Sequence, residues 1–245
     1  DAVLLLCFGT DKATVKTIRQ RLFAPDVDVA SSEYFNRAFL EENFERLNAV
    51  YRRLADEQSR HTFTSVLNFK ISGDPTYLFA CARPPLFFNG LRSAFDLGAY
   101  NGDTAKELLK MKVRVLAVEP DRKNFKKLKA LKGVTAVNAA AGEKDGFFGF
   151  SAKGSRGSAA GGGVFVRVRS VDSLCLEYFI PDFIKIDIEG AEVKALEGAK
   201  NTIKYHRPKI KIAAYHKSRD LFELPEKVLK LNDYKIYMRH QSALP

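Results

Sequence analysis

Four short stretches of this chain combine residue types and spacings that could do chemistry. The first is Asp96-Leu97-Gly98-Ala99-Tyr100-Asn101-Gly102-Asp103-Thr104. The apolar run at 93–97 reads as a buried strand that enters a turn with two glycines, and a helix is expected from Thr104 to Met111. Gly98 lets a ligand approach the backbone closely, Gly102 relieves the turn, and the helix start offers N–H groups without partners. The spacing is Gly-x-x-x-Gly and not the Gly-x-Gly-x-x-Gly of a pyrophosphate cradle, and Asp96 would repel a pyrophosphate. A ligand bearing an ammonium and a sulfonium suits that carboxylate. Asp96, Gly98, Ala99, Asn101, Gly102, Asp103 and Thr104 are therefore candidate cofactor-binding residues.

The second stretch ends the expected strand 113–119 in Glu119-Pro120, 23 residues after Asp96. That interval is close to the ~20 residues expected for an acid that grips ribose hydroxyls at the end of the next strand. A carboxylate accepts both hydrogen bonds of a vicinal diol. Asn138, at the end of the strand expected over 134–138, joins the cofactor-binding set. The third stretch is Phe183-Ile184-Lys185-Ile186-Asp187-Ile188-Glu189-Gly190-Ala191-Glu192. Strand alternation over 183–188 puts Lys185, Asp187 and Glu189 on one face and isoleucines on the other. Charges in a central strand are costly unless paired, and open α/β sheets bind ligands at the carboxyl ends of their strands. Lys185, Asp187 and Glu189 are thus candidate catalytic residues, Asp187 also a cofactor contact; the bland alternative is a structural Lys185–Asp187 pair. The fourth is His216, after the apolar strand 209–215, a candidate base. A divalent metal at Asp187 is compatible with the sequence but not implied by it.

The elements that must position these residues alternate. Strands are expected at 93–97, 113–119, 134–138, 183–188, 209–215 and 234–239, with helices between most of them, which argues for a doubly wound α/β sheet with right-handed crossovers. Phe147–Ser151 and Val164–Arg169 flank the Gly/Ser-rich run Gly154–Gly163 and read as an inserted hairpin. Upstream the pattern differs: a strand at 3–8, a helix at about 12–22, and helical spacing from Phe35 to Leu54 and over 56–71, stopped by Ser72-Gly73-Asp74-Pro75. Pro84-Pro85 and Asn89-Gly90 mark a linker, so residues 1–90 are expected to form a strand–helix and helical accessory region and 91–245 the sheet domain. Such apolar helices would cover the crevice and help form an acceptor pocket.

The chain of 245 residues carries a net charge of +11. Residues 1–90 hold eleven basic and eleven acidic side chains, so the excess lies wholly in the sheet region. Ten basic residues between Lys106 and Lys132 raise the question of nucleic acid. Lys110, Lys112, Lys129 and Lys132 fall at helix carboxyl ends, away from the ligand crevice, and no Asn-Pro-Pro-aromatic segment is present, so a solvated surface is the reading preferred. The three cysteines, Cys7, Cys81 and Cys175, lack metal-like spacing and read as packing residues in a reducing compartment. The apolar run Ala2–Phe8 is too short to span a bilayer, and cytoplasmic localisation is expected.

The motif Asp96-x-Gly98-Ala99-x-x-Gly102-Asp103-Thr104, with Glu119-Pro120, the string from Ile184 to Glu192, Arg207-Pro208 and Tyr215-His216, resembles the FkbM family of methyltransferases over roughly 90–240. The resemblance implies a Rossmann-like, mostly parallel sheet with an antiparallel last strand. It also implies S-adenosylmethionine as cofactor and a small-molecule or glycan acceptor, typically a hydroxyl of a sugar or secondary metabolite. Helices over about 31–90 resemble an accessory segment of some members, and Phe87-Phe88-Asn89 departs from the aromatic–Pro pair common there. Three rivals remain: an RNA methyltransferase, a nicotinamide-dependent oxidoreductase, disfavoured by the missing Gly-x-Gly-x-x-Gly, and a non-catalytic nucleotide-binding module on the same fold.

Overall fold

A computed structural model describes residues 3–10, 35–72, 74, 76–81, 89–150 and 164–242. The helix expected at 12–22, the linker prolines and the Gly154–Gly163 run lie outside the described residues. Contacts divide the chain into two compact units, Asn89–Ile210 and a second made of Asp1–Phe88 with Lys211–Pro245.

The first unit also contains the inserted hairpin. It begins with β2 (Ser93–Leu97), α4 (Asp103–Lys110), β3 (Arg114–Val118), α5 (Arg122–Lys129) and β4 (Val134–Val137). Upstream in the chain lie β1 (Val3–Thr10), α1 (Arg37–Arg53), α2 (Glu57–Ser72) and α3 (Thr76–Cys81). Strands β2, β3 and β4 are almost wholly apolar because both faces are covered, as parallel sheets require. The chain next makes the short β5 (Ala140–Ala141), the hairpin β6 (Gly146–Phe150) and β7 (Val164–Arg169), and α6 (Val171–Glu177). It returns beside β2 as β8 (Phe183–Ile186), giving the parallel order β8-β2-β3-β4. The return to the other side of β2 makes the β2/β8 seam a switch point, where open sheets leave a crevice. Two short helices, α7 (Glu192–Glu197) and α8 (Lys200–His206), lead to β9 (Lys209–Ala213), within which the chain leaves this unit.

The inserted hairpin is present as expected: β6 and β7 pair antiparallel from Gly146↔Val168 to Phe150↔Val164. Arg169 anchors its base. The guanidinium is buried and pairs with Asp145 at 2.8 Å and Glu177 at 2.6 Å. Asp145 also accepts from the Ser170 amide at 2.8 Å, which ties the hairpin to the start of α6.

The other unit contains β1 (Val3–Thr10), α1 (Arg37–Arg53), α2 (Glu57–Ser72), α3 (Thr76–Cys81), α9 (Asp220–Leu231) and β10 (Lys235–Ser242). Asn36 caps α1 by accepting from the Phe39 amide, and Leu47, Val50 and Leu54 turn inward at helical spacing. Phe44 of α1 and Ile71 of α2, each expected at an apolar position of its helix, are exposed instead. Arg46 grips Glu226 of α9 and lies 4.2 Å over the Phe222 ring. The last strand departs from expectation. β10 runs parallel to β1, in register from Val3↔Lys235 to Thr10↔Ser242, rather than antiparallel. The cause is its connection: the twelve-residue helix α9 precedes it, and a helical crossover returns a strand in the direction of its predecessor, whereas reversal would need a hairpin. Cys175, the cysteine whose side chain is described, is half-buried against Thr202 as a packing residue.

Asp56 makes an acid-sensitive contact among the described residues of this unit. Burial pushes its carboxyl up, but hydrogen bonds from Arg239 and Ser59 outweigh that and hold it at about 2. A lowered folded value contributes stability above the unfolded value of 3.8, lost as pH falls through about 2. Because the Asp56 side chain is 36% exposed, we discount the effect to about 1 kcal/mol. Urea titrations at pH 5 and pH 2 should therefore show Asp56→Asn losing about 1 kcal/mol less than the wild type over that interval. Identical losses would remove Asp56 from the acid response.

Candidate functional site

The register of the four parallel strands lines up their carboxyl ends. Ile186 pairs with Leu97, Leu97 with Val118, and Val118 with Val137. The next residue on each strand is therefore Asp187, Gly98, Glu119 and Asn138, a row of four candidate residues across the crevice. Backbone bonds continue the ladder there: the Asp187 amide donates to Leu97 O at 3.1 Å and the Glu119 amide to Val137 O at 3.0 Å. Above this row lies a cavity of about 860 Å³, within the usual range for a small-molecule site.

Gly98 shows why the turn needs glycine. Its φ is +76°, and a Cβ there would stand 1.9 Å from the Asp187 carbonyl oxygen. Gly102, at φ +84°, precedes α4 without a side-chain cap, so the first amides of that helix are free of side-chain acceptors. Tyr100 has φ +48°, which directs its amide at Glu119: the amide donates to Glu119 Oε2 at 2.8 Å. Glu119 Oε1 accepts from the Asp121 amide at 2.9 Å. Each carboxylate oxygen thus holds one backbone donor and keeps a lone pair for a diol. Asn138 steadies the same corner, its Nδ2 donating to the carbonyls of Glu119 (2.9 Å) and Pro120 (3.0 Å).

Lys185 is the strut beneath the turn. Its ammonium donates to Gly98 O at 3.0 Å and lies 3.2 Å from Asp96 Oδ1 and 3.9 Å from Asp187 Oδ2. Burial alone would push this ammonium down; the charges of Asp96 and then Asp187 more than offset that, and its pKa is raised. Asp96 is fully buried, and its position directly opposite Lys185 in the β2–β8 ladder explains the pair.

The structure sorts the candidates. Gly98, Ala99, Asn101, Asp103, Thr104, Glu119, Lys185, Asp187 and Glu189 all line the cavity. Asp96, Gly102 and Asn138 are not among the lining residues: Asp96 is fully buried beside Lys185, Gly102 is buried toward Leu128 and Leu131, and Asn138 braces the Glu119 and Pro120 carbonyls. The expected single charged face of strand 183–188 is not what forms. β8 ends at Ile186, and Glu189 (φ +57°) and Gly190 (φ +92°) turn the chain, leaving Glu189 exposed at the rim. Glu192 Oε1 closes that turn by accepting from the amides of Ile188 (3.0 Å) and Gly190 (3.3 Å). His216 belongs to the other unit, where its ring packs on Tyr215 at 4.3 Å.

The wall that the sequence candidates omit is supplied by Ala140–Lys144, Gly146–Phe148 and Val168. One signal for it was available: residue 140 follows immediately on the β4 carboxyl end, where loops of open sheets meet ligands.

The family model described as "Methyltransferase FkbM domain" matches residues 96–236. A crystal structure of methyltransferase FkbM from Methylobacillus flagellatus KT is similar to the chain, with a TM-score of 0.73 and 32% sequence identity over 83% of this chain. The chain spans 57% of the length of that protein. No curated protein matches the sequence.

Proposed function

Since the chain belongs to the FkbM methyltransferase family, we propose that its Asn89–Ile210 unit binds S-adenosylmethionine and that the protein O-methylates a hydroxyl of a sugar, glycan precursor or secondary metabolite. The observation that carries the reading is the carboxylate of Glu119. It is 6% exposed, its two oxygens are oriented by the Tyr100 and Asp121 amides, and it faces the cavity at the strand end next to Gly98. The donor set fits the cofactor in a second respect. The Asn101 Oδ1 is buried in the cavity wall without a hydrogen bond among the described residues, an acceptor that a bound ammonium or hydroxyl would satisfy.

When bound, the cofactor supplies an electrophilic methyl group on a sulfonium. The chain's own tasks are alignment, exclusion of water and removal of the acceptor's hydroxyl proton. Glu119 holds the ribose hydroxyls, and the Gly98–Gly102 turn supports the opposite end of the cofactor. We assign the proton to a carboxylate oxygen of Asp187, which lines the cavity at the switch point and is 34% exposed at its side chain. Lys185 fixes Gly98 and lies beside that carboxylate, as a positioning residue.

Calorimetry tests the assignment. Glu119→Ala should weaken S-adenosylmethionine binding by at least about tenfold, the loss expected from charged hydrogen bonds. An unchanged affinity would place the ribose elsewhere.

A further inference from the structure

The basic excess takes no part in the cavity's chemistry, and most of it is gathered on one surface. From Lys106 to Lys132 the chain has ten Lys or Arg and three acids, of which Glu119 serves the cavity and Asp121 caps α5 by accepting from the Asn124 amide. The fold brings these cations together. β2–α4–β3 and β3–α5–β4 wind in the same direction, so both helices cover the same face of the sheet. They also touch: a Cβ on Gly133, after α5, would lie 3.2 Å from Leu109 of α4, and one on Gly102 would lie 2.6 Å from Leu131.

On α5 the helical period spreads Arg122, Lys123, Lys126, Lys127 and Lys129 over an arc of about 160° opposite the buried Leu128. Lys110, Lys112 and Lys132 extend the patch across the adjoining turns, and all eight side chains are exposed. None of the eight has an acidic partner among the described residues; of the other two, Lys106 reaches Asp103 at 3.7 Å and Arg114 stacks on Phe179. Met111 is 39% exposed between Lys110 and Lys112.

We infer that this face docks on the surface of an anionic phospholipid bilayer. Eight of the ten cations are Lys, compact charges suited to mobile headgroups, where fixed phosphates of a polynucleotide favour the Arg fork. The patch offers no stacking platform, since Phe125, its one aromatic residue, is half-buried. Met111 supplies an apolar contact amid lysine stems that can lie along the interface. The patch begins at Arg122, two residues beyond the cavity-lining Pro120, but Lys110, Lys112, Lys129 and Lys132 fall at helix carboxyl ends, away from the cavity-lining strand ends, and none of its eight cations lines the cavity.

Co-sedimentation of the full chain with vesicles tests this. Binding is expected to vesicles containing phosphatidylglycerol and not to pure phosphatidylcholine. It should be abolished by raising salt from about 0.1 M to about 1 M, which shortens the Debye length from about 10 Å to about 3 Å. Each lysine near such a surface accounts for about fivefold in partitioning, so Lys126→Glu with Lys127→Glu and Lys129→Glu should lower it by at least about a hundredfold. Thermal unfolding and S-adenosylmethionine affinity should be unchanged in that variant, which shows that it is folded. Three results would overturn the inference: no binding to anionic vesicles, binding that the triple variant keeps, or tighter binding to a single-stranded RNA oligonucleotide that the variant loses.

Discussion

Lys185→Met should lower the stability of the Asn89–Ile210 unit by about 3–5 kcal/mol, the usual result of removing one partner from a buried ion pair. Lys185 is the charge partner of Asp96, which is 0% exposed, so the substitution strands a carboxylate in the sheet interior. It also releases the Gly98 carbonyl that the ammonium holds at 3.0 Å. The companion Asp96→Asn with Lys185→Met should lose less than the single Lys185→Met, because the stranded charge is gone. The pH dependence has a definite sign. The folded pKa of Lys185 is raised, so its contribution is fully present below the unfolded value of 10.5 and is lost as pH rises through the folded one. Denaturant titrations should accordingly show a wild-type advantage over Lys185→Met that is level from neutral pH to near 10 and shrinks above 10.5. A loss below about 1 kcal/mol at neutral pH would mean that the pair is not a support of the turn.

Asp187→Asn should cut turnover by about a hundredfold or more, the scale of one positioned proton acceptor, while the fold and cofactor affinity survive. The amide keeps the shape of the side chain and the backbone bond from the Asp187 amide to Leu97 O. What it loses is the negative oxygen in the cavity. Single-turnover rates and calorimetry on the same preparation separate the outcomes. Retained turnover would return Asp187 to a structural partner of Lys185. Absence of methyl transfer in the wild type, with S-adenosylmethionine still bound, would instead favour the non-catalytic reading of the fold.

The strand ends were legible because apolar runs with glycine after them have few alternatives. Ser93–Leu97 was read to the residue, and Glu119 was located from its spacing after Asp96. What failed did so where a local pattern outran its element. Asp187-Ile188-Glu189 continues the alternation of Phe183–Ile186, but the left-handed Glu189 and Gly190 and the amide bonds to Glu192 end the strand early. The ion pair that Asp96 makes was illegible for a similar reason. Its charge is settled by Lys185, a partner 89 residues away in sequence that only the β2–β8 register reveals. The Arg169 clamp on Asp145 and Glu177 was illegible, because nothing in the spacing of those residues marks them as neighbours. The parallel last strand followed from α9, which the resemblance to the family did not weigh.

The most direct test of the account is a calorimetric titration of the chain with S-adenosylhomocysteine and, separately, with NAD. Both carry the adenosine that Glu119 would hold, but they differ at the turn of Gly98 and Gly102, where one presents an amino acid and the other a pyrophosphate. The account predicts saturable one-to-one binding of S-adenosylhomocysteine, weakened by Glu119→Ala, and no binding of NAD. Binding of NAD with S-adenosylhomocysteine inert would contradict it.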